Sequence, residues 1–120
     1  MNKNYLIGSI INGTEYFYIY KHYNECNKNI IYIGKDDREI FEIKDKLHWL
    51  LPKTKILLFR SWDQIPYDKV SPSKEIQSER INTLYEISNN NKLVILTSIN
   101  AIIQKTIDTS FINENVIKIE

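Results

Sequence analysis

A repeated alternation restricts the fold more than anything else in this chain. Short, nearly unbroken apolar runs are each followed by a longer segment whose apolar residues recur every three to four positions. The runs are Asn29-Ile30-Ile31-Tyr32-Ile33, Lys55-Ile56-Leu57-Leu58-Phe59 and Leu93-Val94-Ile95-Leu96. None alternates apolar with polar, so each predicts a strand covered on both faces, as in a parallel sheet. The intervening periodicity predicts helices over 14–27, 36–50 and 73–88. Their inward residues are Tyr16, Phe17, Tyr20 and Tyr23, then Ile40, Ile43, Leu47 and Leu50, then Ile76, Ile81, Leu84 and Tyr85. Asp36 with Glu39 three positions on marks a helix start, and Pro52 marks an end.

Weaker signals extend the pattern at both ends. Tyr5-Leu6-Ile7-Gly8 reads as a first short strand, and 115–119 as a last one. Ser98 or Asn100 caps a short helix over 101–107. The resulting order, β-α-β-α-β-loop-α-β-α-β, predicts an α/β fold, a three-layer parallel sheet with helices on both faces. No repeat and no Gly/Ser linker divides the 120 residues, so 1–120 reads as one domain.

Charge and cysteine content remove several function classes. Sixteen Lys and Arg against fifteen Asp and Glu leave a formal charge of +1, which argues against a basic nucleic-acid clamp or an acidic tail. The single cysteine, Cys26, can form neither an internal disulfide nor a four-cysteine zinc site, which fits a reducing cytoplasm. His22 and Cys26 stand four apart on one predicted helix, but only His48 offers itself as a third ligand, so no metal is expected. Tyr16, Tyr18, Tyr20 and Tyr23 could stack on bases, but a role in the core or on the helix face is the simpler reading. Apolar stretches reach four or five residues, against about 20 for a membrane span. The first residues, Met1-Asn2-Lys3-Asn4-Tyr5, contain no signal-peptide apolar core.

Two regions carry the candidate chemistry. The first is Gly8-Ser9-Ile10-Ile11-Asn12-Gly13-Thr14-Glu15, placed where a phosphate-binding loop would sit between strand and helix. Gly8 and Gly13 have the spacing of the pattern G-x-x-x-x-G-K-[ST], but Thr14 stands at the lysine and Glu15 at the magnesium-binding hydroxyl. Loss of a charge-assisted hydrogen bond removes about 1.5–3 kcal/mol, roughly tenfold or more in affinity. Glu15 suits the helix dipole instead and repels phosphate. Two readings stand: a nucleotide-binding turn that has lost its function, or an unrelated β-α turn with two useful glycines.

The second region is the long loop from Phe59 to the third helix, with Trp62, Tyr67, Pro66 and Pro72 available to pack it. Arg80 shares a helical row with Ile76 and Leu84, so it points partly inward and needs an acceptor. Asp63, Asp68 or loop carbonyls are the expected partners, in a clamp of loop onto helix. The alternative is a solvated arginine lying along its helix.

Three stretches in and after this loop carry a resemblance. They are Trp62-Asp63-x-Ile65-Pro66-Tyr67-Asp68 with Ser71-Pro72, then Ser78-Glu79-Arg80-Ile81-x-x-Leu84-Tyr85, then Leu96-Thr97-Ser98-Ile99-Asn100-Ala101-Ile102-Ile103-Gln104. Together they resemble the start of bacterial transcription-repair coupling factor (Mfd). That resemblance implies a lobe similar to the excinuclease component UvrB, a degenerate RecA-like P-loop lobe whose lysine is lost, as at Thr14. It agrees with the first reading of 8–15, and it makes Trp62, Asp63, Pro66, Tyr67, Ser71, Pro72 and Arg80 structural motif residues. UvrB carries a long aromatic hairpin for DNA near this loop; the short stretch after Tyr67 leaves no room for one. The whole factor of that family is an ATP-driven DNA translocase that displaces stalled RNA polymerase and recruits UvrA.

On that basis the chain is expected to be a non-catalytic first lobe without cofactor, a scaffold for the UvrA-recruiting module. Its partners would be the rest of the coupling-factor chain and, through the wider module, UvrA. RNA polymerase and DNA would be met only by other domains, and no membrane is involved. The alternatives are a small nucleotide-binding module, or a DNA-binding one using Lys53, Lys55, Arg60, Lys69 and Lys74.

Overall fold

A computed structural model describes residues 6–62 and 73–115. Three strands form one parallel sheet: β1 (Ile30–Gly34), β2 (Ile56–Phe59) and β3 (Val94–Ser98), in the order β1-β3-β2. Ile30 and Ile56 both stand opposite Val94, and the register runs to Gly34 opposite Ser98 and Phe59 opposite Thr97. The helices are α1 (Glu15–Glu25), α2 (Asp37–Leu50), α3 (Lys74–Asn89), α4 (Ile99–Ile103) and α5 (Thr109–Asn115). The expected α/β class, with a parallel sheet between helical layers, is what the structure shows.

β3 takes the centre because it is the one strand with no solvent-tolerant side. All five of its residues are buried. Val94 and Leu96 face α1 and α2, in a cluster with Ile19, Ile40, Ile43, Leu47 and Leu58. Leu93, before the strand, and Ile95 within it face the other way, packing with Phe59, Ala101, Leu84 and Ile87. At its amino end, Asn29 bridges β1 to β3: its Oδ1 accepts from the Leu93 N–H (2.9 Å) and its Nδ2 donates to the Asn90 carbonyl (3.2 Å).

The two crossovers have the same hand. The chain passes from β1 through α2 to β2, stepping over β3 on one face. It returns from β2 through α3 to the centre on the opposite face. Opposite lateral steps on opposite faces give one handedness, as such connections require. Asp36 caps α2 by accepting from the Glu39 N–H (2.9 Å), and Ser73 and Ser98 cap α3 and α4 in the same way.

Several expectations fail at the margins. Residues 6–8 are irregular rather than a strand, with Leu6 fully exposed. A strand needs both a ladder partner and cover for its apolar side chains, and these residues have neither. The helix expected over 101–107 stops at Ile103, and an unforeseen helix, α5, begins at Thr109. Asn115 ends α5 rather than opening a strand, and 116–119 lie outside the described residues, as does Tyr5. On α1 the buried residue is Ile19, with Tyr16 and Tyr23 half-buried; Phe17 and Tyr20 are exposed. α1 packs through the stripe 16, 19, 23, so Tyr16 and Tyr23 face inward as expected and Ile19 takes the place of Phe17 and Tyr20. Ile81 on α3 is likewise exposed, while Thr83 is buried.

Candidate functional site

The glycine turn comes first, since its spacing suggested phosphate binding. Gly13 adopts φ 86°, a left-handed conformation open to glycine. The Thr14 hydroxyl donates to the Ile11 carbonyl (2.6 Å), so it closes its own turn and makes no side-chain cap for α1. Lys46 crosses from α2 to donate to the Gly13 carbonyl (3.1 Å), with its ammonium 5.2 Å from the centre of the Tyr16 ring.

Beside this turn lies a polar hollow of about 450 Å³. Glu15, Asp36, Glu39 and Glu42 line it, against Lys35, Arg38 and Lys46. Two of these cations are already engaged, Lys46 at Gly13 and Arg38 with Glu42 (3.4 Å). A polyphosphate would therefore meet more carboxylates than uncommitted cations. Gly8 has no atom within 4 Å of where a side chain would begin, so nothing presses on the backbone there.

The carboxyl end of the sheet is where open α/β folds place their ligands. Here protein groups fill it. Asp37, in the first turn of α2, accepts from the Ser61 N–H (3.2 Å), the Ser61 hydroxyl (2.8 Å) and the Ser98 hydroxyl (2.6 Å). That one carboxylate ties α2 to the chain leaving β2 and to the start of α4. Next to it the Trp62 N–H donates to Gln104 Oε1 (2.7 Å). Sequence reading misses Asp37 because Asp36 carries the cap signal. Two adjacent acids at a helix start look alike until the fold sends one inward.

Arg80 lies beneath this cluster and is 2% exposed. Its Nη1 donates to the Arg60 carbonyl (2.6 Å) and its Nη2, at longer range, to the Ala101 carbonyl (3.5 Å). The guanidinium sits between two rings, 4.0 Å from the centre of Phe59 and 4.6 Å from Trp62. Burial lowers its pKa from the ordinary arginine value, and the Asp37 carboxylate works against that shift. The arginine points inward, and its acceptors are backbone carbonyls, one just before Trp62 and one within α4. Asp63 and Asp68, the acids expected to serve, lie outside the described residues. So do Pro66, Tyr67, Ser71 and Pro72, together with the packing expected of that loop.

Of the cations suggested for DNA, Arg60 and Lys55 are engaged in ion pairs, while Lys53 and Lys74 are exposed. Arg60 pairs with Glu79 and, at 3.6 Å, with Glu75, and its guanidinium faces the Phe41 ring. Lys55 pairs with Glu86 at 2.7 Å. Lys69 lies outside the described residues. His22 and His48 are exposed on different helices. Among the described residues no group of three His, Cys, Asp or Glu side chains is placed to hold a metal. Nor is any described helix long and apolar enough to cross a membrane. Tyr32 donates to Glu39, and burial, then that hydrogen bond, push its phenol pKa well up, so it serves as a fixed donor.

No protein-family profile matches the chain. Curated relatives do. The transcription-repair-coupling factor of Haemophilus influenzae is 27% identical over 120 residues, 99% of this chain and 10% of that protein. That of Rickettsia bellii is 30% identical over 90 residues, 73% of this chain and 8% of the relative. That of Escherichia coli K12 is 24% identical over 84 residues, 70% and 7% respectively. The chain thus spans a tenth or less of the length of the curated relatives it matches. By sequence it is a relative of the transcription-repair-coupling factors, corresponding to one segment of them.

Proposed function

We propose that this chain acts as a non-catalytic lobe of a transcription-repair coupling factor, a cytoplasmic scaffold for the module that recruits UvrA in nucleotide excision repair. The observation that carries the reading is the match to three relatives of one name over 70–99% of the chain. The site geometry supports its non-catalytic part. Thr14 is turned onto its own loop, carboxylates dominate the hollow beside it, and the carboxyl end of the sheet is occupied by Asp37, Ser61 and Ser98. ATP-driven translocation, and the contacts with RNA polymerase and DNA, then fall to other parts of the factor.

Two measurements test this. Calorimetric titration with Mg-ATP is expected to show no saturable heat; a dissociation constant in the micromolar range, about −8 kcal/mol of binding, would overturn the non-catalytic reading. In a complete coupling factor carrying this segment, Leu96→Ala is expected to weaken UvrA capture and leave DNA-dependent ATP hydrolysis intact. Loss of hydrolysis with retained capture would refute the scaffold role.

A further inference from the structure

β1 is an edge strand among the described residues, with β3 on one side only. The Ile30 N–H donates inward to the Leu93 carbonyl (2.8 Å). Backbone groups alternate along a strand, so the N–H and C=O of Ile31 and Ile33 point to the open side. Soluble proteins usually blunt such an edge with a lysine, a proline or a bulge. β1 reads Ile30-Ile31-Tyr32-Ile33-Gly34 and has none of these.

Both flanks of the edge are apolar. On the side of α1 an apolar groove of about 510 Å³ follows it, lined by Ile30 and Tyr32 and by Tyr18, Ile19 and His22 of α1. On the other face Ile31 stands beside Ile95 and Ile33 beside Thr97, but α3 packs over β2 and β3 and leaves β1 bare. Ile31 and Ile33 are therefore 58% and 54% exposed, while Ile95 and Thr97 in the next strand are buried.

We propose that the partner for this edge is a second copy of the chain, its β1 running antiparallel to the first about a two-fold axis at Tyr32. Three observations select a second copy. The first is geometry. That axis sets Ile31 opposite Ile33 of the second copy, and Ile33 opposite Ile31 of the second copy. These are the residues whose backbone groups point outward, so each pair exchanges two N–H···O=C bonds and the strand satisfies its own edge. Their side chains share a face and form cross-strand isoleucine pairs. The second is charge complementarity. The same register brings Lys28, exposed just before β1, opposite Asp36 of the second copy, just after it, at both ends of the pair. The third is net charge: a formal +1 sets little repulsion between copies. The pairing does not depend on the coupling-factor reading.

Sedimentation equilibrium and isotope-filtered nuclear Overhauser measurements on the 120-residue chain test this. The mass is expected to rise with concentration from 14.3 kDa towards twice that value. A mixed labelled and unlabelled sample is expected to show contacts from Ile31 of one copy to Ile33 of the other. Ile33→Lys puts a charge on the bare face, and Ile31→Pro removes an outward donor while leaving the inward ladder to β3 in place. Each should weaken association at least about tenfold, with the Leu96 amide in the central strand still protected from exchange. A single-chain mass up to about 1 mM overturns the proposal, whatever the variants do. So does a pair whose contacts lie away from β1, or one that survives both variants. Slow exchange at Ile31 and Ile33 in a chain that stays monomeric overturns it too, and assigns the edge to another part of the chain.

Discussion

Arg80→Ala is expected to lower the stability of the chain by about 3 kcal/mol. The side chain is 2% exposed and makes two kinds of contact that alanine cannot replace. Its hydrogen bonds satisfy the Arg60 and Ala101 carbonyls, and stranding such buried acceptors costs roughly 1–3 kcal/mol. Its guanidinium lies between Phe59 and Trp62, where a desolvated cation–ring contact is worth about 2 kcal/mol. Relaxation around the smaller residue offsets part of the sum. A urea melt should show the loss as a lower midpoint, and a thermal melt as a fall on the order of 10 °C. Arg80→Lys should recover little, because a point-charge ammonium can neither lie flat between two rings nor reach two carbonyls on different elements. A variant as stable as the parent would remove the clamp.

Leu96→Ala is expected to cost more, about 4 kcal/mol, within the range for leucine truncations that leave a cavity. Leu96 has no exposed area and sits on the central strand, in register with both Tyr32 and Leu58. The cavity opens between sheet and α2, where Ile40 and Leu47 are also wholly buried and cannot collapse inward without moving the helix. Trp49→Ala is the contrast. That larger side chain is 87% exposed, and its removal should change stability by no more than about 0.5 kcal/mol. Equal effects in the two variants would mean that the cluster between sheet and α2 is not the principal core.

Both expectations depend on burial, which is legible in the sequence only where periodicity reports it. Ile40, Ile43 and Leu47 announce their face through spacing alone, because a helix between sheet and solvent has one apolar stripe and its other positions are mostly polar. Arg80 announces itself by sharing a row with Ile76. The glycine turn is legible in what it lacks, since Thr14 and Glu15 replace the groups a phosphate needs. Asp37 gives no signal. Its role depends on Ser61 and Ser98, which are 24 and 61 residues away.

What the sequence alone determined is the kind of sheet and the helices that cover it. Runs such as Val94-Ile95-Leu96 leave no face for water, and only a parallel sheet between helical layers hides both. The tertiary structure decided the order β1-β3-β2, the carbonyls that hold Arg80, and the irregular path of residues 6–10. The physical reason is range. Strand and helix patterns are set by side chains a few positions apart. Strand order and buried hydrogen bonds depend on which distant backbone groups face one another once the crossovers have taken a single hand.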